Sequence, residues 1–163
     1  MTALLRAVCL GLLLSIGVLA QPATPAAPVP TQVLNAKKIF VSNVPGFQIP
    51  ESSGGSYRTY NQFYAAMKVW GKYELVTTPA DSDVVFEVSF TNPLTNVSSG
   101  NATGKLLVNL LIVDPKTNVP LWWISEEAEG AILSRTMDKN FDHAMAKLIE
   151  RLKKLVGDLP DKP

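Results

Sequence analysis

The sequence predicts an α/β fold of the α+β kind, a two-layer sandwich: a mixed sheet of about five strands with two helices packed on one face. Three observations predict it. The stretch "DVVFEVSF" alternates, with Val84, Phe86, Val88 and Phe90 on one side and Val85, Glu87 and Ser89 on the other, the pattern of a sheet wet on one side. Two helical stripes flank the strand-rich centre, and the first joins two strand-like runs, which favours a right-handed parallel crossover. The strands after it are separated only by turns or polar loops, so they read as antiparallel neighbours.

The elements follow in order. "KKIFVSN" is a first strand, and "VPGFQIPESSGGS" is a loop rich in Gly, Pro and Ser. Tyr60, Phe63, Tyr64, Met67 and Trp70 then recur at helical spacing, with Gly71 placed as a C-cap glycine. "KYELVTT" is a second strand, and "PADSD" turns into the alternating third. "TNPLTNVSSGNATG" is a long polar loop before "KLLVNLLIVD", the fourth strand, which turns at "PKTN" into "PLWWISEEAEG". Met137, Phe141, Ala144, Met145, Leu148, Leu152 and Leu155 make a closing amphipathic helix that ends at Gly157. There are no internal repeats.

The chain begins as a secretory signal begins. Arg6 precedes an apolar run from Ala7 to Ala20, and Val18-Leu19-Ala20 offers a small residue before Gln21. The run is about 14 residues, short of the roughly 20 that a membrane span needs. Cys9 lies inside it, the wrong place for a lipid-modified cysteine. The expected organisation is a signal over residues 1–20, a Pro/Ala-rich spacer over 21–36, one domain over 37–157 and a disordered tail over 158–163. The expected location is periplasmic or secreted, with no stable membrane insertion after cleavage. Cleavage removes the one cysteine and one of the 15 basic residues, leaving charge even against 14 acidic residues. Disulfides, thiol nucleophiles and cysteine metal ligands are thereby excluded from the mature chain. An even balance also argues against nucleic acid, which favours a basic face.

"ADSDVVFEVSF", then "VNLLIVDPKTNVPLW" and a closing helix, resembles the small α/β domains of bacterial envelope proteins. The N-terminal domain of TolB and the curli-secretion lipoprotein CsgG share that layout. "YNQFYAAMKVWGKYELV" and "TMDKNFDHAMAKLI" resemble a group of uncharacterised exported bacterial proteins. The resemblance covers roughly residues 37–156. Asn118 stands where the pattern usually has Gly, and the helix between second and third strands is reduced to "PADSD". What the resemblance implies is a fold and a compartment; no catalytic residue carries over from it.

Motifs for chemistry are sparse. His143 is the single histidine, on the helix face shared with Asn140, Lys147 and Glu150, opposite the apolar stripe. Glu127 and Glu129 share a strand face, a spacing at which paired carboxylates are conceivable, but no pocket is in view to raise one pKa. "SSGGS" occupies the place of a phosphate loop without its G-x-G-x-x-G or Lys-Ser/Thr signature. "DSD" is too short for a calcium loop. No G-x-S-x-G occurs. Asn96 and Asn101 head glycosylation-acceptor triplets. The expectation is a non-enzyme with no cofactor and no metal.

One feature of the fifth strand is unusual. Trp122 and Trp123 are adjacent, so they point to opposite faces of the sheet. The fourth strand is apolar on both faces: Leu106, Val108, Leu110 and Ile112 make one, and Leu107, Leu111 and Val113 the other, relieved only by Asn109. One tryptophan must join that second face, and a one-residue slip of the hairpin exchanges them. A left-handed Asn118 closing a bulged three-residue loop would pair Trp122 with Ile112 in the core and set Trp123 beside Leu111 and Val113 outside. The candidate binding residues are therefore Leu107, Leu111, Val113, Trp122 and Trp123. The loop from Val44 to Ser56, with Phe47 and Ile49, could cover that face. Otherwise it meets an envelope protein partner or a second copy, or it holds a small apolar or lipid ligand under the 44–56 loop. A hydrolase is the third and least supported class.

Overall fold

The computed structural model describes residues 27–46, 49, 54–55, 57–92, 105–129 and 134–159. The signal-like segment, Phe47, both glycosylation triplets and Cys9 lie outside the described residues. In chain order the elements are α1 (Thr31–Asn35), β1 (Lys38–Asn43), α2 (Arg58–Trp70), β2 (Glu74–Leu75), β3 (Val84–Thr91), β4 (Leu106–Val113), β5 (Pro120–Ala128) and α3 (Ser134–Leu155). The five strands form one mixed sheet in the order β2-β1-β3-β4-β5. β1 runs parallel to β2 and to β3, while β3, β4 and β5 are antiparallel neighbours. This is the α/β architecture that the strand and helix patterns predict.

Both long helices pack on one side of the sheet, α2 against β1 and β3, α3 against β4 and β5. The sandwiched core draws alternating residues from the four longer strands: Ile39 and Val41, the four alternating residues of β3, then Val108, Leu110, Ile112 and Ile124. α2 supplies Phe63 and Met67, and α3 supplies Phe141, Ala144, Met145, Leu148 and Leu152. Aromatic rings meet edge to face, Phe63 on Phe86 and Phe90 on Phe141. Arg58 locks the two helices together. It binds Asp138, donates to Asp142 Oδ1 at 2.7 Å, and lies over the Phe141 ring. The last turn of α3 closes as a Schellman motif: Gly157 has φ 74°, and Asp158 N–H donates to the Lys153 carbonyl at 2.8 Å.

Four details depart from the sequence reading. The spacer assigned to residues 21–36 already contains α1, whose Val33 is fully buried in the core, because a single apolar residue can anchor one turn of helix among prolines. The second strand shrinks from "KYELVTT" to two residues, since Tyr73 turns into the core to pack on Phe86 and Trp70. The tail assigned to 158–163 is tied at its first residue: Asp158 accepts from Trp70 Nε1 at 2.6 Å and from Lys72 Nζ at 3.0 Å. The hairpin loop is four residues rather than three, with Asn118 donating to the Asp114 carbonyl and Asp114 to the Val119 carbonyl.

Candidate functional site

The second face of the sheet carries no helix among the described residues. Register lays its side chains in rows. Ser42, Glu87, Leu111 and Trp123 make one row; Ser89, Asn109 and Ser125 the next; Thr91, Leu107 and Glu127 the third. In the middle row Asn109 is buried and fully engaged. It donates to Thr91 Oγ1 at 2.9 Å and accepts from Ser125 Oγ at 2.8 Å. A polar ladder therefore crosses β3, β4 and β5 between two apolar flanks, Leu107 and Leu111.

The two tryptophans are separated by two devices in the β4–β5 hairpin. Asp114 accepts from Lys116 N–H and Thr117 Oγ1, holding the turn, and Asn118 takes the left-handed conformation at φ 56°. Asn is among the few side chains that visit this region cheaply. The second device is a bulge: Val113 faces Pro120 and Ile112 faces Trp122, leaving Leu121 as the extra residue. Without Leu121 as a bulge, the register set at the turn would place Trp122 opposite Leu111 and reverse the faces. With it, Trp122 sits opposite Ile112 and packs against the core, while Trp123 sits opposite Leu111 with 65% of its surface exposed.

Of the five candidate residues, the structure brings Leu107, Leu111 and Trp123 together on the open face. Trp122 belongs to the helix side, because adjacent strand residues alternate. Val113 is on the open side but only 6% exposed, in a further row beside Val85. Leu107, Leu111 and Trp123 line a hollow of about 670 Å³ with Gly46, Ser89, Thr91, Asn92 and Asn109. Among the described residues, no charged side chain lines it. Gly46 forms the rim, where the chain leaving β1 crosses close to β3: Val44 N–H donates to the Val88 carbonyl. A Cβ at position 46 would fall 2.1 Å from the Phe90 carbonyl oxygen. The Asn92 side-chain oxygen is buried without a hydrogen-bond partner. Ile49, one of the two residues that could have covered this face, packs instead against the helix-side core.

The alternating small polar residues of "VSFT" are the available signal for Ser89 and Thr91; Asn92 falls outside that period. Nothing local marked Gly46, since its close contact is with a strand 44 residues away.

The residues considered for chemistry are not brought together. His143 is exposed on α3. Glu127 pairs with Lys105 at 2.8 Å and Glu126 with Arg151 at 2.7 Å, while Glu129 lies beyond the end of β5. Gly54 and Gly55 both have positive φ and lead into α2, with the Gly55 carbonyl accepting from Arg58 N–H. Asp83 accepts from the N–H groups of Lys37 and Lys38 at 2.8 and 2.9 Å, fixing the start of β1. Those bonds hold its carboxyl below the usual aspartate range. Burial, then the charge of Asp158, pushes the Tyr73 hydroxyl up to about 12. Both groups serve the fold. Among the described residues no three His, Cys, Asp or Glu side chains cluster, and no helix is long and apolar enough to cross a membrane.

No family model and no curated protein matches the sequence. Solved structures resemble this one to differing degrees. PelC from Paraburkholderia phytofirmans, solved as a dodecamer, superposes with a TM-score of 0.50 at 12% identity, over 77% of this chain and 93% of that one. A DUF330 family protein from Xanthomonas campestris is more distant, with a TM-score of 0.39 at 13% identity over 82% and 86% of the two chains. Uncharacterized lipoprotein B from Nitrosomonas europaea gives a TM-score of 0.34 at 7% identity over 81% and 88%. At 12% identity the likeness to PelC is one of fold alone.

Proposed function

We propose that this chain is an exported, non-enzymatic interaction module of the bacterial envelope that binds a protein partner through its open sheet face. The observation that carries this reading is Trp123, a large aromatic 65% exposed above a hollow walled by Leu107 and Leu111. Exposed apolar surface of this kind costs solubility unless something covers it in use, and tryptophan is enriched among residues that dominate binding energy. Export rests on the signal-like first twenty residues and on the cysteine-free remainder. The resemblance of residues 37–156 to TolB and CsgG domains points to the same compartment. PelC, with a similar fold, assembles as a dodecamer, so a second copy is one form the partner takes. The test is affinity capture of the mature protein after in-cell crosslinking, with Trp123→Ala as the control bait and its fold verified by circular dichroism. A partner captured by the wild type and lost with the folded variant supports the reading; capture unaffected by the substitution refutes it.

The hollow itself favours a second reading. Its described lining carries no charge, and Leu107, Leu111 and Trp123 around the Asn109 ladder suit a neutral apolar or lipid ligand. Such a ligand would appear in an organic extract of the purified protein.

A further inference from the structure

Among the described residues the sheet has two edges, β2 and β5. β2 is two residues long and too short to accept a strand. β5 is nine residues, and an edge of that length carries a row of backbone groups ready to pair with another chain. Which groups face outward follows from two observations. Arg151 Nη1 donates to the Ser125 carbonyl at 2.9 Å, so that oxygen is turned away from β4. The hairpin gives the same parity independently. Asp114 bonds to Val119, and counting through the bulge makes Trp122 and Ile124 the residues bonded to β4. The N–H and C=O groups of Trp123, Ser125 and Glu127 therefore face away from β4, and among the described residues no strand pairs with them; the Ser125 carbonyl is held by Arg151.

Arg151 sits at the centre of that edge. The same Nη1 also meets Glu126 Oε1 at 2.7 Å, and the Glu126 side chain is mostly buried, so the guanidinium is anchored from α3. At one end of the strand, Pro120 has no N–H to offer. At the other, the Glu127–Lys105 ion pair adds charge. Between them runs "LWWIS", a stretch with no charged side chain of its own.

We propose that Arg151 guards the free edge of β5 against pairing with β5 of a second copy of this chain. It occupies the carbonyl that an incoming strand needs at its centre and places a cation where that strand would lie. A second copy is the fitting occupant because every copy presents the same apolar strand. Two β5 strands related by a two-fold axis run antiparallel, and no other described edge is long enough to compete.

Sedimentation velocity of the purified chain tests the proposal. Arg151→Ala is expected to self-associate about tenfold more tightly than wild type. Adding Glu127→Pro, which removes one outward N–H without touching the bonds to β4, is expected to return it to the wild-type distribution. Arg151 is exposed, so the core survives its replacement; should the alanine variant fail to fold by near-UV circular dichroism, Arg151→Gln is read by the same criteria. Unchanged association in the Arg151 variant overturns the proposal. So does increased association that Glu127→Pro does not reverse, because another surface would then be responsible.

Discussion

Replacing each tryptophan of the 122–123 pair by alanine separates the two faces of the sheet in one experiment. Trp122 packs against the core opposite Ile112, between β5 and α3. Truncating a fully buried tryptophan costs about 3–5 kcal/mol, and the partial exposure of Trp122 brings the expectation to about 2–4 kcal/mol. Trp123 keeps only about a third of its surface covered. A third of roughly 250 Å² at about 25 cal/mol per Å² is at most about 2 kcal/mol. The retained Cβ and a partly collapsed unfolded chain lower that to about 1 kcal/mol. Urea unfolding followed by far-UV circular dichroism measures both without relying on the fluorophore that is removed. The expected order is a large loss for Trp122→Ala and a small one for Trp123→Ala. Equal losses above about 2 kcal/mol would mean that Trp123 is covered within its own chain, by the 44–56 loop or otherwise. A reversed order would mean that the Leu121 bulge is absent in solution.

Other expectations follow from single contacts. Asn118→Gly should leave stability unchanged or raise it by up to about 1 kcal/mol, while Asn118→Val should lower it by about 1–2 kcal/mol, since φ 56° strains a β-branched residue; paired urea midpoints decide this. Gly46→Ala should cost about 2 kcal/mol or more in the same assay, because its Cβ meets the Phe90 carbonyl oxygen, a backbone atom that cannot swing away. Asp83 has its folded pKa lowered by the Lys37 and Lys38 N–H groups, so its contribution is present above the unfolded value of about 3.9 and lost as pH falls through the lower folded value. Asp83→Asn should accordingly be less stable than wild type at neutral pH, with the gap narrowing in acid. Tyr73 acts at the other end of the scale. Its folded pKa of about 12 means stability held below pH ~10 and lost as pH climbs toward 12, a decline that Tyr73→Phe should soften in alkaline melts.

Much of the fold was legible because its signals are local and periodic. The alternation of β3 and the apolar stripe of α3 each report which face is buried, and the glycines at 71 and 157 mark where the helices stop. The open face was legible from β4 alone, since a strand apolar on both sides must show one side to something. What escaped has no period to read. α1 is one turn long, β2 yields to the burial of Tyr73, and Asp158 is held by partners more than 80 residues earlier. The Leu121 bulge is the instructive case. Asn118 suggested a left-handed turn, and the expected facing of the two tryptophans is what the structure has. Yet the loop is one residue longer than expected, and the extra residue of the bulge restores the register. An inserted residue flanked by ordinary strand sequence leaves no mark of its own.

The central claim, that the open face is covered in use by a partner, is tested most directly by cysteine accessibility at Leu107, on the wall of the hollow. The mature chain has no cysteine to interfere, given removal of the segment holding Cys9. Leu107→Cys should react quickly with a maleimide in dilute purified protein and slowly in the intact envelope. Val69→Cys, at a position 87% exposed on α2, should react alike in both. If position 107 reacts as fast in the envelope as in dilute solution, while position 69 behaves as a valid control, nothing covers the face where the protein works, and the account is contradicted.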